Sequence, residues 1–84
     1  MNKKFSERGF ADYVYWQTTN KKILNKINRL LQSIERDGIM SGEGKPEKLK
    51  YDAGYSRRID EENRLVYKID SDTIIIKSCK GHYE

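Results

Sequence analysis

The chain has 84 residues, 36% hydrophobic and 36% charged, and 17 Lys and Arg against 13 Asp and Glu give it a formal charge of +4. That length is one domain, residues 1–84, with a small core and marginal stability. The apolar residues fall in periodic blocks, which excludes a disordered polar tail. The single Cys79 excludes an internal disulfide and a Cys-based zinc site within one chain, and it reads as a small buried residue. Ile74-Ile75-Ile76 is the longest aliphatic run, far short of a membrane span. The basic start Met1 to Lys4 is followed by Phe5-Ser6-Glu7-Arg8, where a signal peptide needs an apolar region. The expectation is a soluble, cytoplasmic protein with no membrane partner, whose mild basicity suits a polyanion.

In chain order, Lys3 to Phe5 reads as a short edge strand. Ser6 caps a helix from Glu7 to about Thr18-Thr19, with Phe10, Tyr13 and Val14 on one face and Gly9 weakening its start. Asn20 caps the strongest helical pattern in the sequence. Ile23, Leu24, Ile27, Leu30, Leu31 and Ile34 form its apolar stripe, and Lys21, Lys22, Asn25, Lys26, Asn28 and Arg29 its polar face. Asp37-Gly38 ends it. Ile39 to Lys45 is a loop, and Gly42-Glu43-Gly44-Lys45 lacks the spacing and the preceding strand of a phosphate-cradling loop. Pro46 to Lys50 reads as a strand with Pro46 at its edge.

The segment Tyr55 to Ile69 organises the rest. It is a hairpin around the polar turn Asp60 to Asn63, with Leu65, Tyr67 and Ile69 alternating against Arg64, Val66 and Lys68. The first strand sets Tyr55, Arg57 and Ile59 against Ser56 and Arg58. A hairpin with Arg57, Arg58, Arg64 and Lys68 cannot direct every cation into a packed face, so one face must be cationic. After a turn at Asp70-Ser71-Asp72, Thr73 to Lys80 reads as a strand buried on both faces. The fold class is α+β: two N-terminal helices packed on a small antiparallel sheet.

Metal-free RNA cleavage needs a base for the ribose 2′-hydroxyl, an acid for the departing 5′-oxygen, a cation on the phosphate and an aromatic to seat a base. Glu47, His82, Arg64 and Tyr83 match those roles by residue type. Plainer roles are open for each: Glu47 as a surface carboxylate beside Lys45 or Lys50, Arg64 as an edge-strand charge, His82 and Tyr83 as a frayed terminus. No cofactor and no metal is called for.

Several separated motifs in order resemble one family. They are Asp12-Tyr13-Val14-Tyr15-Trp16-Gln17, Lys26-Ile27-Asn28, Gly44-Lys45-Pro46-Glu47-Lys48-Leu49-Lys50, Ser56-Arg57-Arg58-Ile59, Arg64-Leu65-Val66-Tyr67 and His82-Tyr83. Together they resemble the YoeB/Txe toxins of bacterial toxin–antitoxin pairs, within the RelE-type superfamily. Gly81 stands where relatives carry a bulkier residue, and Glu84 follows the Tyr at which most relatives end. The resemblance implies a ribosome-dependent endoribonuclease, an mRNA interferase that cuts the A-site codon on the 70S ribosome by 2′-hydroxyl attack. It implies Glu47 as general base, His82 as general acid, Arg64 on the phosphate, Tyr83 positioning RNA, and Lys50 and Arg58 as RNA-binding cations. It also implies a YefM-type antitoxin and a homodimer. The rival readings are a non-catalytic toxin of the gyrase-targeting ParE-like kind and a plain RNA- or ribosome-binding inhibitor.

Overall fold

Two side chains decide where the helices begin. Ser6 Oγ accepts from the Gly9 N–H at 3.0 Å and donates to Lys77 O at 3.0 Å, so it caps α1 (Glu7–Thr19) and ties it to the sheet. Asn20 Oδ1 accepts from the N–H groups of Lys22 and Ile23 at 3.1 and 3.2 Å, starting α2 (Lys21–Asp37). Gly38 ends α2 with its N–H on Ile34 O at 3.2 Å. These boundaries match the sequence reading. The computed structural model describes residues 1–82; Tyr83 and Glu84 lie outside the described residues.

The five strands are β1 (Asn2–Phe5), β2 (Glu47–Lys48), β3 (Tyr55–Arg58), β4 (Arg64–Asp70) and β5 (Thr73–Ser78), in the order β1-β5-β4-β3-β2. The expected α+β fold of two helices on a small sheet is what the structure shows, and three of the four strand pairings are antiparallel. β1 is an edge strand, but it runs parallel to β5, with Lys3 opposite Ile74 and Phe5 opposite Ile76. A parallel neighbour needs a crossover, and the two helices supply it. The sheet is therefore mixed.

The expected strand from Pro46 to Lys50 shrinks to Glu47–Lys48, because the Leu49 N–H turns to Gly54 O at 3.0 Å. β5 also ends earlier than expected and alternates between buried and half-buried residues rather than being buried on both faces. A bulge also interrupts its pairing with β4. Tyr67 faces Ile76 while the adjacent Val66 faces Ser78, so Lys77 is the extra residue. The inserted residue turns Cys79 into the core, beside Leu65, Tyr67, Ile74, Ile76 and the α2 stripe Leu24, Ile27, Leu30, Leu31 and Ile34. Burial, with the Asp12 charge second, pushes the Cys79 thiol up to about 12.

The face of α1 is the clearest departure from the sequence reading. Phe10 is 57% exposed and Val14 37% exposed, while Gly9, Asp12 and Trp16 are buried. A polar pair governs the orientation. Asp12 Oδ2 accepts from the Cys79 N–H at 3.0 Å, and Trp16 Nε1 donates to Cys79 O at 2.9 Å. One turn apart, the two side chains clamp the backbone just past the bulge, where the ladder can no longer satisfy it.

Gly9 makes the close approach possible. A Cβ added there would lie 2.2 Å from Ile76 O and 3.0 Å from Ile76 C, both backbone atoms that cannot step aside. The expected result for Gly9→Ala is a loss of about 1–3 kcal/mol, despite the better helix propensity of Ala. Urea unfolding followed by circular dichroism measures it. A variant as stable as the parent would mean that α1 does not sit this close to β5.

Candidate active site

Both helices cover one face of the sheet. By alternation, Ser56, Arg58, Arg64, Val66 and Lys68 face the other way, as the hairpin pattern predicts. Cross-strand register then lines up one row: Glu47 opposite Ser56, Ser56 opposite Val66, and Val66 opposite Ser78. Arg64, opposite Arg58 in the neighbouring row, leans across. Its Nε donates to Ser56 Oγ at 3.2 Å and its Nη2 lies 3.5 Å from Glu47 Oε2. The sequence alternative of Glu47 paired with Lys45 or Lys50 gives way to this cross-strand contact.

The asymmetry of that pair matters chemically. The Arg64 side chain is 20% exposed and that of Glu47 67% exposed. The contact is an ion pair without hydrogen-bond geometry. Among the described residues, Arg64 Nη2 is a buried donor with no hydrogen-bond acceptor, and Ser78 Oγ in the adjoining row shares that condition. A half-buried guanidinium held by Ser56, with a donor still to be satisfied, can bind an oxyanion.

His82 reaches the same end of β4. The Arg64 N–H donates to Gly81 O at 3.1 Å, so the segment after β5 pairs with the first residue of β4. His82 Nε2 lies 3.1 Å from Glu61 O; since a carbonyl only accepts, Nε2 is the donor. The ring is exposed and borders the β3–β4 turn. Tyr83, the fourth residue of the expected set, lies outside the described residues.

Arg58, cross-strand neighbour of Arg64, and Lys50 are not part of the Glu47–Arg64 contact itself. Lys50 is exposed, two residues past β2. Arg58 lines a hollow of about 460 Å³ with Lys26, Lys45 and Asp60. A second hollow of about 450 Å³ adjoins it through Lys26, Ile59 and Asp60 and adds Lys22 and Arg29. The polar face of α2 thus meets the hairpin turn in a basic groove. Lys26 and Arg29 both bind Glu43 at 3.0 Å, and hydrogen bonds from Arg29 and then Lys26 hold that carboxyl below its ordinary range. The catalytic candidates line neither hollow; they lie on the sheet face away from the helices, whose central row Ser56, Val66 and Ser78 is buried.

The sequence reading missed Ser56, Asn63 and the buried Arg57. Ser56 and Asn63 stand in the strand and turn at places where any polar residue fits. Their roles come from partners far away in sequence.

Residues 5–83 match the family described as the YoeB-like toxin of bacterial type II toxin–antitoxin system. The chain is 46% identical over 81 residues to Toxin YoeB of Escherichia coli strain K12, covering 94% of this chain and 95% of that protein. Among solved structures it is similar to the YoeB dimer from Staphylococcus aureus, with TM-score 0.92, 53% identity and coverage of 99% and 98% of the two chains. It is equally similar to the toxin in a YoeB–YefM complex from the same organism, with TM-score 0.91, 54% identity and the same coverage. With the mixed sheet, the two covering helices and matches from end to end, this chain belongs to the YoeB-like family of bacterial type II toxins.

Proposed function

We propose that the chain is a ribosome-dependent mRNA endoribonuclease that cuts codons in the ribosomal A site by metal-independent attack of the 2′-hydroxyl. Glu47 takes the 2′-hydroxyl proton as the 2′-oxygen bonds to phosphorus. The bond from phosphorus to the 5′-oxygen breaks, and His82 protonates that oxygen, leaving a 2′,3′-cyclic phosphate and a 5′-hydroxyl. Arg64 holds the phosphate as charge builds on its oxygens. Tyr83 stacks on a base, and Lys50 and Arg58 bind the RNA backbone.

The observation that carries the reading is the Arg64–Glu47 contact: a carboxylate 3.5 Å from a guanidinium nitrogen that has no hydrogen-bond acceptor among the described residues. A phosphate arriving at Nη2 competes with Glu47 for the cation and leaves the carboxylate beside the ribose. The basic groove beside the site supports a polyanionic partner, and the exposure of Glu47 and His82 supports dependence on the ribosome. Exposed groups orient a flexible strand poorly, and orientation is a large part of the barrier. Family membership supports a YefM-type antitoxin and a homodimer as partners.

The test is mapping of mRNA ends in a bacterial translation extract with the parent protein, Glu47→Ala and His82→Gln. New 5′ ends at A-site codons with the parent, and none with either variant while ribosome binding persists, are expected. Arrested translation with no new ends would make the protein a binding-only inhibitor.

A further inference from the structure

The β3–β4 turn does more than connect two strands. Asp60 Oδ1 accepts from the N–H groups of Glu62 and Asn63 at 2.9 and 2.7 Å, an Asx-type turn, and the Ile59 and Asp60 N–H groups return to Asn63 O at 2.9 and 3.2 Å. The Asn63 side chain, 8% exposed, spans from this turn to the end of the chain. Its Nδ2 donates to Asp60 Oδ1 and Oδ2 at 3.0 and 3.2 Å, and its Oδ1 accepts from the Gly81 N–H at 2.8 Å. A carboxylate only accepts and a backbone N–H only donates, so the partners fix which way the amide points.

Three contacts therefore join the turn to the two residues at His82. They are Asn63 Oδ1 with the Gly81 N–H, the Arg64 N–H with Gly81 O, and His82 Nε2 with Glu61 O. Gly81 has φ +80, a conformation that lets both its N–H and its C=O meet the start of β4. β5 has ended at Ser78, so no ladder holds this segment. Among the described residues, the exposed His82 ring makes one hydrogen bond, that with Glu61 O.

We infer that Asn63 is a positioning residue for His82: its amide fixes the backbone of Gly81 to the Asp60 turn and so sets where the imidazole stands relative to Arg64. This rests on the assignment of His82 as the general acid. Asn63 does not touch substrate. Its removal slows protonation of the leaving group and leaves the base and the phosphate contact in place.

The experiment measures single-turnover cleavage on programmed ribosomes with two mRNAs. One has an ordinary scissile linkage; in the other, sulfur replaces the bridging 5′-oxygen, and the thiolate departs without a proton. With the ordinary linkage, Asn63→Ala is expected to be slowed by about 10- to 100-fold, as for a catalytic group displaced by about an ångström. With the sulfur linkage, Asn63→Ala and His82→Gln are expected to approach the parent rate, while Glu47→Ala stays slow. Recovery of His82→Gln but not Asn63→Ala would overturn the positioning role and leave the acid assignment standing. Failure of His82→Gln to recover would overturn the acid assignment itself. An Asn63→Ala protein as fast as the parent on the ordinary linkage would also overturn the role. Thermal melting accompanies each variant. If Asn63→Ala does not fold, Asn63→Ser replaces it in the same comparison, retaining a turn-forming residue whose hydroxyl is too short to span from the turn to Gly81.

Discussion

Arg57→Met is expected to cost about 3–5 kcal/mol of folding stability, because it strips a charged donor from several buried acceptors, each costing about 1–3 kcal/mol when left unsatisfied. For a domain of this size, each kcal/mol corresponds to about 4–8 °C in Tm, so a thermal melt resolves the effect readily. Arg57 is 0% exposed and lies on the helix-facing side of β3. Every part of its guanidinium is engaged. Nε donates to the Tyr67 hydroxyl at 2.9 Å, Nη1 to Ser33 Oγ at 3.0 Å and Glu43 O at 2.9 Å, and Nη2 to Gly38 O at 2.7 Å and Ile39 O at 3.2 Å. Tyr67 in turn donates to Ile39 O at 2.8 Å, and Ser33 Oγ donates to Asp37 Oδ2 at 2.8 Å.

One cation thus gathers the carbonyls of the 38–44 loop, which carries no strand or helix of its own. Deleting it leaves oxygen acceptors facing one another in a core too tight for easy hydration. Arg57→Lys keeps the charge but offers three donors from a single nitrogen where five contacts span a plane, and about half of the loss should remain. Because this loop leads into β2 and Glu47, proteinase K, which has broad specificity, should cut the Arg57→Lys protein within residues 38–44 under conditions where the parent resists. If Arg57→Met melts within a few degrees of the parent, the network is decoration rather than a fastening.

That arrangement also shows what a linear reading can and cannot see. The α2 stripe, its Asn20 cap, the Gly38 stop and the hairpin turn were legible because each is local: period, cap and turn chemistry act within a few residues. The same alternation rule that placed Arg58 and Arg64 on the open face also put Arg57 on the face with Tyr55 and Ile59. The rule could not say that a core would accept a guanidinium, because four of its five acceptors come from α2 and a loop far away in sequence. The face of α1 was misread for a related reason. Phe10 and Val14 look like core residues, whereas Asp12 and Trp16 win the buried side by binding the Cys79 backbone 67 and 63 residues away. The parallel pairing of β1 was equally invisible, since four residues of edge strand carry no mark of direction. For the site, Glu47, Arg64 and His82 were named from residue type and resemblance. Ser56 and Asn63, which orient two of them, look in sequence like ordinary strand and turn residues.

Arg64→Gln is expected to lower the single-turnover cleavage rate by about 10²–10³-fold, the typical cost of losing one preorganised donor to a developing oxyanion. Ribosome affinity should change little, because the cations Lys22, Lys26, Arg29 and Lys45 of the adjoining basic groove remain. Gln can retain the contact to Ser56 but has no charge for the phosphate. Arg64→Lys separates charge from geometry. An ammonium cannot bind Ser56 Oγ through one nitrogen while presenting another beside Glu47, so it should recover about a tenth of the parent rate and no more. Stability offers an internal control. Arg64 is an open-face residue whose pairing with a largely exposed Glu47 contributes little to folding, so neither variant should shift Tm by more than a few degrees. A large fall in Tm together with the loss of rate would mean that Arg64 holds β3 and β4 together rather than the phosphate. A full rate with Arg64→Gln would remove the guanidinium from the chemistry, and the unsatisfied Nη2 would then need another explanation.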